Sequence, residues 1–341
     1  MTGRQRIEAV LAGRLPDRVP VCLHNFLLAA KEAGIPLADY LEKPEAAARA
    51  HLDAVERYGY DCILIDLDTT MIAEAMGAKR DGTPGEPGHI AAPAIRSLDE
   101  VGKLKPVDPA RDGRIPVLLE AIRIMAKAVG SEVAIRGNAD QGAFSLAGLL
   151  RGTEDFLVEL MTEPDHAALH QLLEVAYQSH RAVHQAVKAA GAQFTSLGDS
   201  PAGPDVVSPE VFLRFARPYQ ERLVRELDWP VVIHICGDTS AILDQLAEYP
   251  RCGFELDYKT DAARAKATVG REHVLFGNVD PSGVLARGTV AQVREVTRRL
   301  VEIWKPGGLF VLNAGCAIPA STPAENVRAL VAAAQEFGSY A

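Results

Sequence analysis

A histidine and two cysteines are the residues of this sequence whose types best suit metal chemistry. His234 and Cys236 end an apolar run that begins at Val231, and Cys316 follows a second apolar run that begins at Leu309. Side chains at i and i+2 of an extended segment point to the same side, so one ion can bind both His234 and Cys236. Three such ligands leave a fourth position open, as catalytic zinc requires. Two thiolates also suit zinc better than Mg²⁺ or a carboxylate-bound Fe²⁺.

The spacing alone leaves an alternative, in which the three residues are ordinary side chains at the mouth of an enzyme fold. Gly237 and Gly315, which stand beside the two cysteines, favour the metal site, because glycine lets the backbone approach a site closely. The metal hypothesis requires a fold that brings the ends of the two apolar runs together.

Composition and charge narrow the classes of partner. The chain has 341 residues, of which 48% are hydrophobic, so it can bury a large core. Its net charge is −9 without a basic cluster, so nucleic acid is not an expected partner. No run approaches the roughly 20 apolar residues that span a bilayer, and no signal peptide is recognisable at the start, so we expect no membrane association. The five scattered cysteines indicate a reducing compartment, and we expect the protein to be cytoplasmic.

Eight short apolar segments alternate with helical patterns along the chain. Predicted strands cover residues 18–24, 61–66, 132–137, 193–197, 231–238, 253–257, 273–277 and 309–313. This alternation predicts an α/β fold, a (β/α)₈ TIM barrel, with extra N-terminal helices such as 4–13. No low-complexity linker divides the chain, so we expect a single barrel domain over residues 1–341. The Gly- and Pro-rich residues 79–93 predict a loop or hairpin over one face.

Polar side chains follow the predicted strands, at the end where a barrel carries its active site. They are His24, Asp66, Asp68, Asn138, Asp140, Asp199, His234, Cys236, Asp257, Asn278, Asp280 and Cys316. This concentration predicts an enzyme whose site opens at the barrel mouth. For His24, a substrate contact and a core role remain equally open.

Other histidines and cysteines carry weaker signals. The pairs His166/His170 and His180/His184 have the i,i+4 spacing of a helical metal site, but both lie in a polar-patterned helix. We interpret them as a solvated helix face. The remaining cysteines, which are Cys22, Cys62 and Cys252, lie in or beside strands and are predicted to be packed thiols.

Several segments resemble the uroporphyrinogen decarboxylase-like superfamily, and within it the corrinoid-dependent methyltransferases such as the methylcobamide:coenzyme M methyltransferases. They are residues 4–6, 17–20, 232–238, 256–261, 275–281, 313–319 and 322–326. The resemblance implies a (β/α)₈ barrel. Decarboxylases of the superfamily need no metal and hold their substrate with N-terminal arginines, which are missing from Leu23-His24-Asn25-Phe26-Leu27-Leu28. The zinc-dependent members carry a His-x-Cys motif and a later Cys, as this chain does at 234, 236 and 316.

The resemblance implies that His234, Cys236 and Cys316 hold Zn²⁺ and that a thiol acceptor binds at the open position. The thiolate would take the methyl group of a methyl–Co(III) corrinoid, which a separate corrinoid protein would carry. For a resting fourth ligand, Asp257 is the first candidate, followed by Glu255 and Asp199.

Three alternatives stay open at this point. One is a donor-side enzyme that loads a corrinoid protein from a small-molecule methyl donor. Another is a tetrapyrrole decarboxylase that uses Asp66 or Asp68 as its acid. The third is a non-catalytic protein that binds zinc or a corrinoid.

Overall fold

Eight parallel strands form a ring in the computed structural model, which describes residues 1–82, 86–163 and 166–340 and, of Asp140, the backbone alone. With the two strands of a separate hairpin, β3 and β4, the described strands are β1 Cys22–Leu23, β2 Cys62–Ile65, β3 Lys79–Asp81, β4 His89–Ala92, β5 Ala134–Gln141, β6 Phe194–Gly198, β7 Val231–Ile235, β8 Gly253–Leu256, β9 Val274–Val279 and β10 Phe310–Ala314. The ring runs β1-β2-β5-β6-β7-β8-β9-β10. A parallel bridge between Val21 and Leu312 joins its last strand to its first. The predicted barrel is therefore confirmed.

Helices flank the ring, in keeping with the parallel strand order. They are α1 Gly3–Leu11, α2 Phe26–Glu32, α3 Leu37–Glu42, α4 Pro44–Tyr58, α5 Met71–Ala75, α6 Ile115–Val129, α7 Ala143–Arg151, α8 Thr153–Thr162, α9 Ala167–Ala190, α10 Pro209–Val211, α11 Arg217–Glu226, α12 Leu243–Ala247, α13 Ala262–Thr268, α14 Val290–Trp304 and α15 Ala324–Phe337. Among the described residues, no helix combines the length and the apolar character needed to cross a membrane.

The lower part of the barrel interior is apolar and closed. Helix α1 starts with a capping box between Thr2 and Gln5, as its sequence allows. Its residues Ile7 and Val10 belong to a buried cluster with the strand residues Cys22, Cys62, Leu64, Ala134, Phe194, Val232, Val274, Phe276 and Val311. The predicted packing of Cys22 and Cys62 is confirmed. Because this apolar cluster fills the interior toward the amino ends of the strands, the cavity with its polar side chains lies at their carboxyl ends.

A two-stranded hairpin lies between β2 and β5, as the sequence predicts. Strands β3 and β4 pair antiparallel, and Pro87 of the connection lines the cavity described below. Nε of Arg80 on β3 lies 3.5 Å from a carboxylate oxygen of Asp68, which ties the hairpin to the mouth. Residues 83–85 lie outside the described part.

The prediction of a solvated face is wrong for His180 and His184. Both are buried, since α9 packs this side against the barrel. Nδ1 of His184 lies 2.7 Å from the hydroxyl of Thr195 on β6, and the His180 ring packs edge-on against Tyr177. The reason lies in the helix period. His180 and His184 follow the buried Tyr177 by three and seven residues, so all three lie on the inward side of this 24-residue helix.

Burial of these histidines makes stability depend on pH. Burial lowers the pKa of His180 to about 3, whereas an unfolded histidine has a pKa of about 6.5. The unfolded state therefore binds the proton first, and stability is lost as the pH falls below about 6.5. Between pH 7.5 and 5.5, His180 should account for a loss of about 1.4 kcal/mol in the free energy of unfolding.

Urea unfolding of His180→Leu at the two pH values measures this contribution. The variant should lose less stability on acidification than the unchanged protein, by about 1.4 kcal/mol. His89→Gln, at an exposed position, is the control and should leave the pH dependence as it is. An identical pH dependence in His180→Leu would contradict the assignment.

Candidate metal centre

The structure brings His234, Cys236 and Cys316 together at the carboxyl ends of the strands. Their ligand atoms all lie within 4.8 Å of one another. His234 is in β7 and Cys236 just beyond it, while Cys316 lies two residues beyond β10. Nε2 of His234 and Sγ of Cys236 are 3.1 Å apart. The ends of the two apolar runs therefore lie together, so that one ion can contact all three ligand residues, as the metal hypothesis requires.

Backbone contacts fix the orientation of the His234 ring and the path of the segment that carries Cys316. Nδ1 of His234 lies 2.9 Å from the carbonyl oxygen of Glu255. Donation of the Nδ1 proton to that oxygen leaves the lone pair of Nε2 facing the sulfurs, which is the arrangement typical of metal-ligating histidines. A Cβ on Gly315 would lie 2.5 Å from the backbone nitrogen of Tyr258. Only glycine thus lets the segment that carries Cys316 pass so close to the loop after β8.

The electrostatics of the cluster favour a thiolate at Cys236. The hydrogen bond from the Cys316 thiol and the contact with His234 outweigh burial and lower the pKa of Cys236 to about 3. Hydrogen bonding to Cys236 and burial raise the pKa of Cys316. Burial acts to lower the pKa of His234, but the contact with Cys236 and the charge of Glu255 raise it to about 9.

The cluster forms part of the wall of a cavity of about 320 Å³ at the barrel mouth. Of the polar residues that the sequence places at strand ends, His24, Asp66, Asp68 and Asn138 line this cavity with the three ligands. The side chain of Asp140 lies outside the described part of the chain. The rest of the wall is largely apolar and includes Phe26, Leu27, Leu64 and Leu197.

The other predicted mouth residues hold loops instead of lining the cavity. Asp280 accepts hydrogen bonds from the amides of Ser282 and Gly283, and the Asn278 amide donates to the carbonyls of Asp257 and Thr260. The prediction that Asn278 and Asp280 belong to the site at the barrel mouth gains no support from these positions. Backbone groups at the strand ends are buried and need partners, and these side chains supply them.

The three candidate acids for the fourth position differ in what they contact. Asp257 accepts hydrogen bonds from the amides of Gly237 and Lys259, one on each oxygen. Asp199 is fully buried and accepts from Ser145 and from Gln220. Among the three, only Glu255 lines the cavity. The Glu255 carboxylate pairs with Arg136 and is not among the clustered ligand atoms, so the fourth ligand stays a prediction, with Asp257 as its first candidate.

Arg136 is a residue of the site that the sequence analysis did not single out. It lies within β5, is 1% exposed, and forms an ion pair with Glu255 of β8. Its guanidinium carbon lies 5.2 Å from the centroid of the Phe276 ring. The available signal was an arginine directly after the apolar residues Ala134 and Ile135 of its strand, because a buried charge needs a partner and usually a function. Glu255, inside an apolar strand, was that partner.

Ser200 is a second residue of the site that the sequence did not indicate. Its hydroxyl lies 3.0 Å from Sγ of Cys236, and Ser200 lines the cavity. Serine directly after a strand end is common, so its sequence position gave no signal.

His24 lines the cavity, so its side chain lies where a substrate could reach it. Nε2 of His24 lies 3.2 Å from a carboxylate oxygen of Asp66, and Nδ1 lies 3.9 Å from Glu255. The imidazole stacks on Phe26 with the ring centroids 5.6 Å apart. The ring is thus held between two acids at the edge of the cavity.

A parallel eight-stranded barrel with a cavity and ligand residues at the carboxyl ends of its strands is an enzyme architecture. The chain belongs to the uroporphyrinogen decarboxylase (URO-D) family, whose sequence profile matches residues 2–337.

Relatives within this family include methyltransferases and decarboxylases. The chain is 31% identical to the methylcobamide:CoM methyltransferase MtaA of Methanosarcina barkeri, over 98% of both chains. It is 28% identical to a uroporphyrinogen decarboxylase of Carboxydothermus hydrogenoformans, over 91% of both. Among solved structures, a methyltransferase from Methanosarcina mazei superposes with a TM-score of 0.91, at 31% identity and over 99% of each chain.

The ion pair between Arg136 and Glu255 yields a stability prediction. Arg136→Met leaves the carboxylate of Glu255 buried without its partner, so the free energy of unfolding should fall by about 3–5 kcal/mol. The double variant Arg136→Met/Glu255→Gln removes the orphaned charge and should regain part of that loss. Urea unfolding at neutral pH measures both.

Arg123→Met is the matched control, because Arg123 forms an exposed ion pair with Glu120. Loss of this exposed pair should lower the free energy of unfolding by less than about 1 kcal/mol. Equal losses in the exposed and the buried arginine variants would contradict the role given to the Arg136–Glu255 pair.

Proposed function

We propose that this protein is a zinc-dependent methyltransferase that moves a methyl group between a methyl-corrinoid and a thiol. The observation that carries the proposal is the convergence of His234, Cys236 and Cys316 on the wall of the mouth cavity. The names of the relatives, methylcobamide:CoM methyltransferases, support both co-substrates. A corrinoid protein that delivers the methyl group is the partner we expect.

The residues present fit a zinc ion. Nε2 of His234 and the sulfurs of Cys236 and Cys316 would hold it, and one nitrogen with two sulfurs is a donor set that zinc prefers. Of the three candidate acids for a resting fourth ligand, Glu255 alone lines the cavity, although its carboxylate pairs with Arg136 and lies outside the cluster of the three ligands. When bound, Zn²⁺ would supply the positive charge that keeps an acceptor thiol ionised at neutral pH.

The protein's own groups position the metal ligands. The backbone carbonyl of Glu255 orients the His234 ring, and the Ser200 hydroxyl contacts Sγ of Cys236. The apolar wall around Phe26 and Leu197 lowers the local polarity, which strengthens the electrostatic interactions of the site.

The bond changes balance without a further reactant. The acceptor thiol loses its proton to solvent, and its sulfur forms a bond to the methyl carbon. The carbon–cobalt bond breaks at the same time, and its electron pair stays on the metal, so that Co(III) becomes Co(I). The products are a methyl thioether and the Co(I) corrinoid.

Decarboxylation of a tetrapyrrole receives less support. Among the described residues that line the cavity, Arg136 is the one arginine, and its charge is matched by Glu255. A substrate with four carboxylates needs unpaired cations to compensate its charge in a buried site.

An anaerobic assay with methylcobalamin and a thiol tests the proposal. The zinc-loaded protein should convert methylcobalamin to cob(I)alamin, with the change followed by absorbance. Cys316→Ser should lower the rate by at least about 100-fold, because it removes a ligand of the cluster. Cys252→Ala is the control, since Cys252 lies in the core beside His273, and it should retain the rate.

Two results would overturn the proposal. One is full activity of Cys316→Ser in this assay. The other is consumption of uroporphyrinogen by a protein that leaves methylcobalamin unchanged.

A further inference from the structure

The charges on the cavity wall bear on what the acceptor carries besides its sulfur. Asp66, Asp68 and Glu255 line the cavity, whereas Arg136 is the one lysine or arginine among the described lining residues. The Arg136 guanidinium already pairs with Glu255. The wall therefore offers no unpaired lysine or arginine side chain from the part of the chain that the structure describes.

Asp68 does not contribute free charge to the cavity. Its two oxygens lie 2.9 and 3.0 Å from guanidinium nitrogens of Arg114. Thr70 donates both its amide and its hydroxyl to the same carboxylate. Arg80 approaches it to 3.5 Å from the hairpin. Asp68 thus serves to hold the hairpin and the chain around α6.

Asp66 is the acid that remains. One of its oxygens lies 3.2 Å from Nε2 of His24, and among the described residues no donor bonds the other oxygen. Its backbone is fixed, because the Tyr40 hydroxyl donates to the Asp66 carbonyl at 2.6 Å. Outside the three metal ligands, the described wall thus offers an anion no unpaired cation, because the His24 imidazole already faces the Asp66 carboxylate.

We infer that the acceptor thiol carries a neutral or positively charged head group that donates a hydrogen bond to Asp66. This inference rests on the proposed function. An anionic head group, such as the sulfonate of coenzyme M (2-mercaptoethanesulfonate), would lose its hydration in the cavity without gaining an ion pair. A head group with N–H or O–H donors gains a charge-assisted hydrogen bond instead.

Equilibrium binding of four short thiols to the zinc-loaded protein tests the inference. The thiols are cysteamine, 2-mercaptoethanol, 3-mercaptopropionate and 2-mercaptoethanesulfonate, and calorimetry gives each Kd. In the unchanged protein, cysteamine should bind at least about tenfold more tightly than the two anions, which is the effect of one modest charge interaction.

The four thiols differ in acidity, so the decisive quantity is a change on mutation. Asp66→Asn keeps the shape of the side chain and removes its charge. The ratio of the Kd of 2-mercaptoethanesulfonate to that of cysteamine should fall by at least about tenfold in this variant. Asp238→Asn is the matched control: Asp238 is exposed, lies two residues beyond Cys236 and does not line the cavity. It should leave the ratio unchanged.

The outcomes separate this inference from the proposed function. Tighter binding of the anionic thiols, or an equal ratio in Asp66→Asn and the unchanged protein, overturns the inference even if methylcobalamin is demethylated. The predicted order of Kd values without any turnover supports the inference and contradicts methyl transfer. Absence of binding by all four thiols overturns both.

Discussion

The ion pair between Arg136 and Glu255 is the interaction on which the arrangement of the site depends. It joins strands β5 and β8, which are three positions apart around the ring, through the barrel interior. Below it, the interior is a closed apolar cluster. Above it, the carbonyl of Glu255 orients His234, and its carboxylate lies 3.9 Å from both His234 and His24. The pair thus forms the floor of a polar site on an apolar core, where a lone charge would be too costly to bury.

The loops above this floor are held by acidic side chains that accept hydrogen bonds from backbone amides. Asp257 binds the amide of Gly237, next to the ligand Cys236, and Asp199 binds the amide of Ser145 at the start of α7. These acids position the ligand-bearing segments without facing the cavity. The division of labour is consistent with preorganisation: the metal-ligating side chains lie at strand ends, and their supports are buried and fully bonded.

Much of the fold followed from the sequence because strand and helix periods are local properties. The eight strands, the hairpin and the meeting of His234, Cys236 and Cys316 at one end all follow from the alternation of apolar runs with helices. His180 and His184 show the limit of local polarity: histidine can occupy the inward side of a helix once it is kept neutral by burial.

The sequence did not distinguish acidic residues that line the cavity from those that bind backbone amides. Asp66 and Asp257 both end strands, yet one lines the cavity and the other binds two amides. The difference is set by the path of the following loop, which depends on contacts between distant segments. Arg136 and Glu255 are similar: each is a charged residue within its own strand, and only the ring places one beside the other.

Zinc K-edge X-ray absorption, combined with metal analysis of the purified protein, tests the central claim that the three residues hold zinc. We predict about one zinc per chain, with two sulfur neighbours at about 2.3 Å and one histidine nitrogen at about 2.0–2.1 Å. Addition of cysteamine should add a third sulfur, and Cys316→Ser should lose the metal. A zinc shell of oxygen and nitrogen alone, or a metal-free protein that fully demethylates methylcobalamin, would contradict the account.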